Sequence, residues 1–154
     1  MKTYRAVLVG TGGIGEAHVR AVEFTQGRVQ LVAACDINAD RAREFCEKFE
    51  VPTAHSDYAT MLRDEKPDIV LIDIDSPTRD MLEELTLASG PLDRPVAMFV
   101  SNSAGGLAQA AVEAGVSAYV VDGLAPQRIK PVIDTAIARF RMVRQMRTEL
   151  AETR

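Results

Sequence analysis

The sequence predicts one α/β domain built on a doubly wound parallel sheet. Three observations carry that reading. Apolar segments of strand length alternate with amphipathic segments of helix length along the whole chain. The 154 residues are the size of one ordinary domain, with 47% hydrophobic residues for a core and 26% charged residues for a surface. The run Asp68-Ile69-Val70-Leu71-Ile72-Asp73-Ile74 is almost continuously apolar, the mark of a strand covered on both faces.

The elements follow in order. Residues 4–9 read as the first strand and residues 14–26 as a helix, with Ile14, Ala17, Val19, Ala21, Val22 and Phe24 as its apolar positions and Gly27 ending it. Residues 29–35 form the second strand. Asn38 or Asp40 caps the next helix, which shows Ala42, Phe45, Cys46 and Phe49 on one face. Residues 52–55 suit an edge strand, because Pro52 cannot donate to a ladder. Ser56 or Asp57 caps a short helix before the strand 68–74. Ser76-Pro77 breaks that strand, and a helix over 78–89 stops at Gly90-Pro91. The strand 96–100, a small-residue helix over 104–114, the strand 118–121 and a helix of about 28 residues from near Pro126 complete the chain.

The first strand ends in Val9-Gly10-Thr11-Gly12-Gly13-Ile14-Gly15, and the second ends at Asp36, 21 residues beyond Gly15. Each part has a role in holding a dinucleotide. Gly10 permits the tight turn, and Gly12 lets a pyrophosphate approach the backbone. Gly15 allows the helix to pack close to the strand, and the free amides of the helix's first turn face the phosphates. Asp36 stands where a carboxylate accepts hydrogen bonds from a ribose diol and repels a 2′-phosphate, which favours NAD over NADP.

Composition narrows the alternatives. Net charge is −4 and no Lys/Arg block stands out, which argues against a nucleic-acid surface. No apolar run reaches membrane-spanning length, and the N-terminus lacks a signal-peptide pattern, so a cytoplasmic protein is expected. Cys35 and Cys46 read as reduced, partly buried thiols. His18 and His55 have no acid or cysteine at ligand spacing in sequence, so no metal site is expected.

Residues 1 to about 70 resemble the N-terminal segment of the Gfo/Idh/MocA oxidoreductase family. The resemblance rests on Ala6 to His18, Cys35-Asp36-Ile37-Asn38-Ala39-Asp40-Arg41-Ala42, and Val51 to Tyr58 followed by Met61-Leu62. It implies NAD(H) or NADP(H) binding, with Gly10, Gly12 and Gly15 at the pyrophosphate. Thr11, Gly13 and Ile14 would supply backbone contacts, and Asp36 would sit at the adenosine ribose. The family's Glu-Lys-Pro motif and large C-terminal substrate domain are not found. On that ground no catalytic activity is expected and no catalytic residue is assigned.

Residues from about 67 to 154 resemble an antiterminator-type response-regulator receiver, through Pro67 to Asp80 and Val112 to Leu124. Asp73 and Pro77 match the receiver's Asp-x-x-x-Pro. The acidic pair that would hold Mg²⁺ after the first strand is missing, and Asp122 stands where the receiver's lysine would fall, so phosphotransfer is not expected. Ser101 is a candidate for the receiver's hydroxyl position.

The expectation is therefore a Rossmann-like and flavodoxin-like hybrid with strand order 3-2-1-4-5-6. Residues 1–70 form a dinucleotide-binding half and 71–154 a receiver-like half. It is read as a recombined or engineered fold chimera that keeps a partial NAD site. The alternatives are a receiver-like signalling or dimerisation module, and a small NAD-dependent oxidoreductase. Asp73 and Asp75 are expected to repel the pyrophosphate by like charge. The last helix, stepping through Ile129, Ile133, Ala136, Phe140, Val143 and Leu150, outruns the sheet after about residue 141 and is the candidate surface for a homodimer.

Overall fold

The computed structural model describes residues 3–12, 15–91, 93–101, 105–121 and 126–152. Its elements are β1 (Tyr4–Val9), α1 (Gly15–Glu23), β2 (Val29–Cys35), α2 (Ala39–Phe49), β3 (Thr53–His55), α3 (Tyr58–Glu65), β4 (Ile69–Ile74), α4 (Arg79–Ala88), β5 (Val96–Val100), α5 (Leu107–Ala114), β6 (Ala118–Val121) and α6 (Pro126–Glu152). The six strands pair in parallel in the order β3-β2-β1-β4-β5-β6, the order expected from the sequence.

Alternation along the strands divides the core into two layers. Ala6, Leu8, Ile69, Leu71, Ala97 and Phe99 face the layer that holds Ala21 and Val22 of α1, Phe45 and Cys46 of α2, and Ile129, Ile133, Ala136 and Ile137 of α6. Val7, Val70, Ile72, Val96, Met98 and Val100 face Met61 and Leu62 of α3, Leu82 and Leu85 of α4, and Leu107, Ala110 and Ala111 of α5. Burying each of the three α6 isoleucines is worth roughly 1.5–3 kcal/mol. Arg28 and Lys130 both reach Asp134 at 2.7 Å, and the Arg141 guanidinium donates to the Tyr4 hydroxyl. Every residue over 141–152 is exposed, so the helix projects beyond the sheet from the position expected.

Local chemistry sets the boundaries. Asn38 caps α2, its side chain accepting from the Arg41 amide at 3.1 Å, and Asp57 caps α3. α1 ends earlier than its apolar pattern suggests. The Thr25 hydroxyl donates to the Val22 carbonyl at 2.6 Å and accepts the Val29 amide at 3.0 Å, which folds residues 24–28 into a turn that feeds β2. α5 starts at Leu107, after Gly106 in the left-handed region (φ 85°).

The order reverses between β1 and β4, where successive crossovers leave the sheet in opposite directions. A crevice opens there, outside the carboxyl ends of the strands. Gly10 follows β1, Asp36 follows β2, and Asp73 sits near the end of β4.

Candidate dinucleotide site

The turn after β1 is built against β4. Gly10 has φ 100°, and a Cβ there would lie 2.3 Å from the Asp73 carbonyl oxygen. Only glycine fits both constraints. Gly12 is exposed, and a Cβ on it would meet nothing within 4 Å, so the loop backbone is open to an incoming group. Gly15 does permit close packing, but against a different neighbour from the strand expected. A Cβ there would lie 2.5 Å from Cε2 of Phe45, so the contact is with α2. Gly13 and Ile14 lie outside the described residues.

Asp36 is part of the loop's own construction. Its Oδ2 accepts the Thr11 amide at 3.1 Å and the Thr11 hydroxyl at 2.9 Å, and its Oδ1 accepts the Asn38 amide at 3.0 Å. Arg41 approaches Oδ2 at 4.0 Å. Burial pushes the carboxyl upward, but the Asn38 and Thr11 donors and Arg41 outweigh it and hold it below its ordinary value. A carboxylate offers about four acceptor positions. Three are used, which leaves room for one ribose hydroxyl and not a full diol.

The loop amides are also partly committed. Gly10 donates to the Cys35 carbonyl at 2.8 Å, Thr11 to Asp36, and Gly15 back to Gly12 at 2.9 Å. The expectation that the first-turn amides are free therefore fails at Gly15, whose N–H closes the turn that starts α1.

The cleft over these strand ends has a volume of about 730 Å³. Gly10 and Gly12 form one side, and Asp36, Arg41 and Tyr58 line it further out. Asp57, Asp73, Asp75 and Glu84 add carboxylates, and among the described lining residues Arg41 supplies the positive charge. Tyr58 is raised by burial, then by Glu84 and Asp57. The Cys35 thiol, raised to about 11 by burial and then by Asp36 and Asp57, is held as the inert protonated form.

Asp73 and Asp75 are engaged by different partners. Asp75 accepts the Ser101 hydroxyl at 3.2 Å, so Ser101 is committed away from Asp73. Asp73 Oδ2 lies 2.8 Å from Nε2 of His18, which is fully buried. Sequence distance concealed this pair, 55 residues apart. It also concealed His55 with Glu65, at 3.0 Å. The signal was present in the periodicity. His18 falls on the 15-18-22 stripe that faces the sheet, and Asp73 continues the Ile69–Leu71 face toward α1. Among the described residues no cluster of three or more His, Cys, Asp or Glu side chains is placed to hold a metal. Nor is any helix long and apolar enough to cross a membrane. Asp122, and residues 102–104 beside Ser101, lie outside the described residues.

A family model described as an oxidoreductase family with an NAD-binding Rossmann fold matches residues 4–122. The match continues past residue 70 and takes in β4, β5 and β6. Inositol 2-dehydrogenase of Salmonella typhimurium is 35% identical over 71 residues, 46% of this chain and 21% of its own. The transcriptional regulatory protein PdtaR of Mycobacterium tuberculosis is 29% identical over 86 residues, 56% of this chain and 42% of its own. The chain thus spans about a fifth of the one relative and under half of the other. The receiver domain of the response regulator NarL from Mycobacterium tuberculosis superposes with a TM-score of 0.59 at 16% identity, over 88% of this chain and 98% of that domain, a likeness of fold. Both sequence resemblances are therefore supported. The expectation of no catalytic activity is overturned, because the family matched over β1 to β6 is one of oxidoreductases and the relatives include a dehydrogenase.

Proposed function

The chain belongs to the oxidoreductase family with the NAD-binding Rossmann fold, and from that premise we propose that it serves as the dinucleotide-holding part of an NAD-dependent oxidoreductase. The observation that carries the proposal is the open backbone at Gly12, beside an Asp36 locked in place by Thr11 of the same loop. A Cβ at Gly12 would occupy the space a phosphate needs, and the fixed carboxylate defines where the ribose must lie. In this reading the turn from Gly10 to Gly15 holds the pyrophosphate, with Gly10, Thr11 and Gly15 shaping it and Gly12, Gly13 and Ile14 left to meet the phosphates. Asp36 accepts one adenosine hydroxyl and selects NAD over NADP by like-charge repulsion of a 2′-phosphate. When bound, NAD supplies the hydride acceptor. The glycine turn and Asp36 orient it.

The test is a titration with NAD⁺ and NADH that follows the backbone amides. Shifts at Gly12 and Gly15 with saturation are expected. Saturating ligand with neither amide moving would overturn the proposal.

A second reading concerns origin and assembly. The PdtaR match supports a fold chimera in which residues 71–154 derive from a receiver. Met142, Met146 and Leu150, all exposed at four-residue spacing on α6, support a homodimer through that helix. Sedimentation of the wild type against Met146→Ser/Leu150→Ser tests it. A monomer in both at high concentration would reject the dimer. The buried free thiols Cys35 and Cys46 fit a reducing compartment.

A further inference from the structure

His18 lies on the buried side of α1, its ring nearly perpendicular to that of Phe99 with centroids 4.7 Å apart. A carboxylate only accepts hydrogen bonds, so the hydrogen between His18 Nε2 and Asp73 Oδ2 belongs to Nε2. The other ring nitrogen, Nδ1, is buried without a hydrogen-bond partner among the described residues. In that tautomer Nδ1 holds the ring's free lone pair. Asp73 lines the same cleft as Gly10 and Gly12, and its own backbone carbonyl lies against Gly10.

We infer that His18 and Asp73 form a proton-holding pair at the dinucleotide site, and that binding of the anionic pyrophosphate draws a proton from water onto His18 Nδ1. The inference rests on the dinucleotide reading above and deepens it. With Nδ1 unprotonated the pair carries one negative charge toward the cleft. With Nδ1 protonated it is neutral. Like charges in a partly shielded cleft repel, so anion binding and proton binding each strengthen the other.

The surrounding charges do not replace this role. Asp75 is taken by Ser101, and Asp36 by Thr11 and Asn38. Arg41 of α2 approaches Asp36, and Glu84 of α4 adds only negative charge to the cleft. Glu16 and Arg20 of α1 pair with each other in solvent, and Asp134 of α6 is held by Arg28 and Lys130. His55 is engaged by Glu65 and does not line the cleft. Carboxylates as a class titrate below the imidazole range, and lysine and arginine above it.

Calorimetric titration of the full chain with NAD⁺ from about pH 5.5 to 8.5, in buffers of different ionisation heat, reads affinity and proton uptake together. Affinity is expected to fall as pH rises, by up to about tenfold per pH unit, with uptake of up to about one proton. Asp73→Asn, in which no carboxylate helps the imidazole hold its proton, is expected to bind at least as tightly as wild type at the alkaline end, with a shallower slope. His18→Asn is expected to bind weakly, with no slope. If that variant does not fold, Asp73→Asn decides. Wild-type binding that is flat with pH and takes up no proton would overturn the inference. So would Asp73→Asn keeping the wild-type slope. Each of these leaves the dinucleotide reading standing. No binding by wild type at any pH would overturn both.

Discussion

Two carboxylates stand on either side of β1 at the strand ends of one cleft, each with a side chain 9% exposed, and the fold treats them differently. Asp36, after β2, is held by three donors from residues 11 and 38, all in the loops that meet at its own strand end. Asp73, on β4, takes a single bond from a histidine on α1, the helix packed against its own face of the sheet. The first carboxylate is fixed in charge and position by local donors. The second depends on one imidazole partner. In the functional reading proposed above, placement falls to the ribose end of the site and charge adjustment to the floor beneath the glycine loop.

The sharpest break falls on the β1–β4 side. Gly10→Ala forces a Cβ into the Asp73 carbonyl at a positive φ, and is expected to cost about 3 kcal/mol or more in denaturant unfolding. On the β1–β2 side the obstacle is the movable ring of Phe45. Gly15→Ala should cost less, about 1–3 kcal/mol, and adding Phe45→Leu should recover part of the loss in a double-mutant cycle. An equal cost for the two alanines would erase the distinction between the two sides.

Asp36→Asn removes charge from the donor-held carboxylate and is expected to destabilise by about 1–2 kcal/mol near neutral pH. The sign with pH follows from its lowered value in the folded state. The contribution is complete above the ordinary value of 3.8 and is lost as pH falls through the lower folded value. The gap between wild type and Asp36→Asn should therefore close in acid. A gap that widened below that value would contradict the hydrogen-bonding account. Gly12→Ala has the smallest effect on stability, within about 0.5 kcal/mol, because its Cβ meets nothing. The same change should weaken NAD⁺ binding by about tenfold or more, since the methyl enters the phosphate's space.

Much of this was legible in the chain itself. Strand order, the cap residues Asn38 and Asp57 and the emergence of α6 near residue 141 follow from periodicity and turn chemistry, which act over a few residues. The roles of Gly10 and Asp36 follow from spacing, because a strand, a turn and a helix of ordinary length leave little freedom in where they fall. Other features did not follow. The use of the Gly15 amide and of three acceptor positions on Asp36 depends on ångström-scale loop geometry. The length of α1 depended on whether Thr25 would turn its hydroxyl back to Val22.

The sequence by itself determined the α/β layers, the strand order and the glycine turn with its acid, because hydrophobic period and backbone sterics are properties of short segments. Only the tertiary structure decided that Gly15 packs on Phe45 and that His18 is the partner of Asp73. Those contacts join residues 30 and 55 positions apart, and they exist only once α1 is laid against both α2 and the β4 face.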